Sequence, residues 1–134
     1  MKVITIKQPW AGLIMSGMKN IENRTWATQH RGKILIHSSK TLNYAEEKRA
    51  EDFIVREILT KEEQKTLNND DGRIRRLCKH YGVIIGEVEI VDCVKNHSSN
   101  WAEKDTWNWV LANPIIYDEP IPAAGQLRLW NFEK

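Results

Sequence analysis

The sequence predicts an α+β domain: a small mixed, partly open β-barrel with helices inserted between its strands. Three observations carry this. Five or six short β-rich runs are spread along the whole chain. Segments of helical periodicity fall between them rather than in one block. Turn and breaker residues punctuate the runs at short intervals. A partly closed barrel would manage the edges of so many short strands.

The elements follow in order. "VITI" (3–6) is β-branched and reads as a first strand. "QPWAGLIMSG" reads as a short helix, with Pro9 suited to its first position, Trp10, Leu13 and Ile14 at helical spacing, and Gly17 as its stop. Lys19–Trp26 is the second strand. "KILIHSS" (33–39) is the third and is expected to pair with it. Asn43 caps a helix running to about Leu59, with Ala50, Phe53, Ile54 and Ile58 on one stripe. Thr60 and Glu63 form a capping box for another helix. After the "NNDDG" turn, Ile74, Leu77, Cys78 and Tyr81 line one helical face, and Arg73, Arg75, Arg76 and Lys79 the other. "GVIIGEVEIVDCV" (82–94) is the strongest strand, and Gly86 inside it predicts a bulge or a close backbone approach. The C-terminal part reads as short strands cut by Pro114, Pro120 and Pro122.

Composition limits the function classes. The chain has 134 residues, 41% of them hydrophobic, and no apolar run long enough to span a membrane. Lys7 and Gln8 interrupt the N-terminal apolar run, so no signal peptide is expected and the location is read as cytoplasmic. Cys78 and Cys93 are only two and in no CxxC spacing, and they read as reduced, buried thiols rather than a disulfide framework. No Walker or GxGxxG loop, GxSxG turn or zinc-ligand spacing occurs, so no cofactor and no metal are expected. The net charge is only +2, yet residues 1–40 hold seven basic side chains against Glu22 alone. Such a segment attracts anions, phosphates among them.

The stretch "GMKNIENRTW" (17–26) concentrates chemistry. Alternation puts Asn20, Glu22, Arg24 and Trp26 on one face and Lys19, Ile21, Asn23 and Thr25 on the other. Neither is an ordinary core face, so the strand is expected to line a cleft. Arg24 suits bidentate contact with a phosphate or carboxylate, or an ion pair with Glu22. Lys7 and Gln8 precede a helix start, where free amides favour an anion. Trp10 and Trp26 offer faces for base stacking, although Trp10 equally suits a core anchor. His37, with Lys40 after it, completes the candidate binding set, and a structural histidine is the plainer reading of His37. Trp101, Trp107, Trp109 and Trp130 read as core or rim.

These residues carry a family resemblance. "IKQPWAGLIMSGMKNIENRTWATQHRGKILIHSSK" (6–40) resembles the N-terminal signature of the ASCH domain family, within the PUA-like superfamily. "VIIGEVEIVDCV", "WVLANP" and "PIPAAGQLRLW" resemble its central and closing strands. The resemblance implies a single PUA-like barrel domain over 1–134, with a variable helical insertion at about 41–80. It implies a cleft between barrel and first helix, and RNA or a modified nucleoside as ligand. Some relatives are amidohydrolases on acetylated cytidine or ribonucleases. In the amidohydrolases a lysine after the first helix works with a threonine on the next strand and a more distant glutamate. Lys19 matches the lysine, but Glu22 stands at the threonine position. A carboxylate can activate water but cannot supply a hydroxyl nucleophile. Glu103 is the nearest candidate for the distant glutamate, with no motif behind it. The leading expectation is RNA or nucleotide-like ligand binding through a basic, aromatic cleft. The alternative is hydrolysis of a modified nucleoside or of RNA by Lys19 and Glu22. A third is a protein-interaction module whose basic helix meets an acidic protein partner.

Overall fold

The computed structural model describes residues 1–133. Six strands form one curled, half-barrel sheet, and the helices lie in the chain between them. The strands are β1 (Lys2–Ile6), β2 (Ile21–Arg24), β3 (Gly32–Ser38), β4 (Val83–Val94), β5 (Trp107–Pro122) and β6 (Leu129–Asn131). Their order across the sheet is β2-β5-β4-β3-β1-β6. The mixed α+β, PUA-like expectation therefore holds.

The aliphatic strands take the middle. β3 runs parallel to β1 and antiparallel to β4, so both of its edges are occupied. Its Ile34, Leu35 and Ile36 are all buried, on both faces of the pleat. The expected pairing of the second strand with "KILIHSS" is thus wrong. The polar β2 goes to the sheet edge and pairs with β5, Glu22 opposite Trp109 and Arg24 opposite Trp107.

The closing segment also differs from expectation. Residues 107–122 form one strand, not several. Pro114 and Pro120 are absorbed by bulges, since the β4–β5 register shifts between Glu87 and Glu89, opposite Asn113 and Pro114, and again between Ile84 and Gly86, while Pro122 sits opposite Val83 at the strand's end. β2 covers only residues 107–110 of β5, so the later prolines remove no ladder hydrogen bond on that side. Gly86 has both predicted features, because a Cβ there would meet the Ile115 carbonyl and would lie 2.7 Å from Met15 Cε.

Between β1 and β2 lies α1 (Trp10–Met15), one residue later than the Pro9 start expected. Between β3 and β4 come α2 (Tyr44–Phe53), a π-helical turn at Ile54–Ile58, α3 (Lys61–Asn68) and α4 (Arg73–Leu77). Asn43 caps α2, and Thr60 and Glu63 form the predicted capping box. The single helix expected to reach Leu59 changes pitch at Ile54 instead. Ile54 and Leu59 then join Ile74 and Cys78 against Leu13, Ile21 and Trp101. Phe53 is left 47% exposed. The helical segment between β3 and β4 so walls one side of the region around β2.

Candidate functional site

A cleft of about 860 Å³ opens beside β2. Its walls come from the end of β1, α1, β2, the end of α2 with the π turn, the β4–β5 loop and the β5–β6 loop. Five of the residues expected from sequence converge there: Lys7, Trp10, Lys19, Glu22 and Arg24.

Glu22 is the hub. Its carboxylate is 3.3 Å from Lys19 Nζ and accepts from Arg24 Nε at 2.9 Å. Arg24 Nη2 lies 2.8 Å from the same carboxylate and donates to the Thr5 carbonyl at 3.1 Å. Lys19 also donates to the Ile21 carbonyl. Lys19 and Glu22 are both buried. Burial pushes the Lys19 ammonium below lysine's ordinary pKa, and Glu22 opposes the shift. The alternation that separated Lys19 from Glu22 breaks down because the strand begins only at Ile21, leaving Lys19 free to turn toward the carboxylate. Arg24 Nη1 has no protein partner among the described residues and is open to a ligand.

The other four candidates lie outside the cleft lining. Gln8 is buried as a clamp. Its Oε1 accepts from Gly12 N at 2.9 Å, and its Nε2 donates to Leu77 O and His80 O at 3.0 and 2.8 Å. Ala11 N donates to Lys7 O. The helix-start amides of Ala11 and Gly12, expected to hold an anion, are therefore already satisfied. Trp26 packs edge-on against Trp109, with Arg128 lying 4.0 Å over its ring. Lys40 is exposed beside the cleft, next to the lining residue Ser39.

His37 sits behind the wall formed by Thr5. A carbonyl can only accept, so His37 Nε2 carries the proton and donates to Ala123 O at 2.7 Å. Nδ1 then accepts from the Thr5 hydroxyl at 3.1 Å, and that hydroxyl accepts from Trp130 Nε1. The ring is neutral, and burial holds its pKa below 6.5. The unfolded chain takes up the proton first as pH falls, so stability should drop below about pH 6.5, by at most about 1.4 kcal/mol per pH unit. Urea midpoints at about pH 7.5 and about pH 5.5 check this: the fall expected of the wild type should be smaller in His37→Gln.

Sequence reading missed Asn23. Its Nδ2 donates to Trp101 O at 2.9 Å, and its Oδ1 accepts from Glu103 N at 3.1 Å and from Asn108 Nδ2 at 2.9 Å. Asn23 thereby fixes the loop that brings Trp101 and Glu103 into the cleft. Arg128, Gln126 and Leu127 enter from the opposite end of the sequence, and Leu127 is 91% exposed at the rim. In total the lining holds four cations (Lys7, Lys19, Arg24, Arg128) against three carboxylates (Glu22, Glu57, Glu103). The cleft mixes apolar and aromatic walls with charged groups that are nearly balanced, and it is not strongly basic.

The sequence profile of the ASCH domain matches residues 4–121. The chain belongs to the ASCH domain family. ASCH domains are associated with RNA binding. The chain is 24% identical to human (Homo sapiens) activating signal cointegrator 1 and 25% identical to its mouse (Mus musculus) counterpart, over 97% of this chain. It spans about a fifth of those relatives' length, 22% in each case. No helix among the described residues of this ASCH domain is long and apolar enough to cross a membrane.

Proposed function

We propose that this ASCH domain binds RNA, or a nucleotide-like ligand, by taking one unstacked nucleotide into the cleft. The carrying observation is the convergence of Arg24, with Nη1 free, and the half-buried Trp10 on one cavity with room for a nucleotide. Single-stranded RNA is read by splaying a base out, stacking it on an aromatic or guanidinium plane and hydrogen-bonding its edges. The Glu22 carboxylate fixes the Arg24 guanidinium, and its charge is offset by Lys19 and Arg24. Lys7, at the mouth, can meet a phosphate.

A second reading has its own observation. Lys19 is a buried lysine with a depressed pKa, held against Glu22 in a cleft that also contains Glu103. Such a pair can exchange protons with a reacting group, so hydrolysis of a modified nucleoside or of RNA is the alternative. Glu22→Gln separates the two. A pure binder should keep its RNA affinity within a few-fold and form no product. A hydrolase should keep binding and lose about 100- to 10,000-fold of turnover. The experiment incubates both proteins with acetylcytidine and with a mixed RNA, then quantifies deacetylation and cleavage by mass spectrometry. Product from the wild type that disappears in Glu22→Gln would overturn the binding reading.

A further inference from the structure

A strand held in a charge-balanced cleft must have most of its phosphates neutralised elsewhere. Arg73, Arg75, Arg76 and Lys79 are exposed and make no ion pair among the described residues. Some exposed cations elsewhere are paired, Lys33 with Glu87, Lys48 with Asp52 and Arg56 with Glu57, while Lys40, Arg49, Lys61 and Lys104 are unpaired among the described residues but lie on other segments and do not share one face with these four. Ile74, Leu77 and Cys78 of the same segment are buried, so the four cations occupy the outer face of α4 and its final turn. Arg76 closes its own turn on Asp71 O at 2.6 Å. Arg73, Arg75 and Lys79 make no side-chain hydrogen bond among the described residues. The neighbouring carboxylate of Asp70 is turned onto the Gly72 and Ile74 amides at 3.0 and 2.7 Å.

The C-terminal end of this segment is tied to a strand end that lines the cleft. Gln8 holds the carbonyls of Leu77 and His80, and the next residue along, Lys7, lines the cleft. Just beyond, Gly82 N donates to Ser38 O at 2.8 Å, and Gly82 packs against the stem of Lys40. Lys79 thus lies between two segments pinned to the strand ends that form the cleft wall.

We propose that the outer face of α4, through Arg73, Arg75 and Lys79, binds the phosphodiester backbone of the RNA strand leaving the cleft, with Lys40 at the junction. The inference rests on the cleft taking a nucleotide. Unpaired cations on an open face suit a polyanion, since flexible ammonium and guanidinium groups displace its counterions without needing a fixed pose. Continuity with the cleft favours RNA over an acidic peptide.

The test compares the wild type with the triple variant Arg73→Glu/Arg75→Glu/Lys79→Glu, after circular dichroism shows both folded. The probes are cytidine 5′-monophosphate, a mixed single-stranded RNA of about twelve nucleotides and an oligoglutamate of similar length, at about 100 mM salt. The RNA should bind the variant at least about tenfold more weakly, with its log–log salt slope flatter by about 2, while the mononucleotide is unaffected. Unchanged RNA affinity would overturn the proposal. So would an equal loss in a control reversing Lys61 and Lys65 on α3, or oligoglutamate binding the wild type as tightly as RNA does. If the wild type binds RNA but no mononucleotide, the cleft reading fails, and a selective loss in the α4 variant still upholds the phosphate face.

Discussion

Replacing Glu22 with alanine is expected to destabilise the ASCH domain by about 3–4 kcal/mol near neutral pH. The residue is the shared partner of two cations, one of them the buried Lys19. Removing one member of a buried pair strands the other, which typically costs about 3–5 kcal/mol. Lys19 has an escape, because it can release its proton. Neutralising a lysine of ordinary pKa 10.5 at about pH 7.5 costs about 4 kcal/mol, which caps the loss. The sign of the pH dependence follows. The folded variant's lysine has its pKa lowered further than in the wild type, so the variant gains stability relative to wild type as pH rises toward 10.5. Urea denaturation of both proteins at about pH 7 and about pH 9 reads this directly. A deficit below about 1 kcal/mol, or one that grows with pH, would show that Lys19 is not held by Glu22.

Trp109→Ala should cost a similar amount, about 3–5 kcal/mol. Trp109 is fully buried, packs edge-on to Trp26 with ring centroids 4.8 Å apart, and donates from Nε1 to Trp26 O. It also faces Glu22 across the β2–β5 ladder. β2 is a four-residue edge strand whose one partner is β5, so the void left beside Glu22 loosens Glu22 and Arg24 together. Thermal unfolding should fall by roughly 10 °C or more, and nucleotide affinity should fall with it. Trp109→Phe should recover most of the stability but not the hydrogen bond to Trp26 O. A Trp109→Ala loss below about 1.5 kcal/mol would mean that the β2 platform does not depend on this contact.

Local chemistry explains which parts of the fold were legible in the sequence. The aliphatic alternation of β1, β3 and β4, the Asn43 cap and the Thr60 capping box are short-range signals, and each recurs in the structure. The partner of β2 was not legible, because nothing within "IENR" says that β3 already has both edges filled by β1 and β4. The prolines of β5 read as strand breaks because a sequence does not reveal which edge is unpaired. In the cleft, Lys7, Trp10, Lys19, Glu22 and Arg24 were legible since they lie within eighteen residues of one another. Glu103 and Arg128 come from distant loops, and Asn23, which anchors one of them, looks in sequence like any strand asparagine. The positive excess of residues 1–40 did not concentrate in the cleft. Arg31 and Lys33 pair with Asp92 and Glu87 on β4 instead.

The central claim is that a nucleotide occupies the cleft beside β2. Its most direct test is a titration of ¹⁵N-labelled protein with cytidine 5′-monophosphate and then with a short single-stranded RNA, followed by amide and indole NMR shifts. Six tryptophans give six indole reporters, of which Trp10 and Trp101 line the cleft while Trp109 and Trp130 donate to internal acceptors. The account predicts that the Trp10 and Trp101 indoles move first, together with the amides of Lys7, Glu22 and Arg24. Shifts that gather instead on the free edge of β5, with the Trp10 and Trp101 indoles unmoved at saturation, would contradict it.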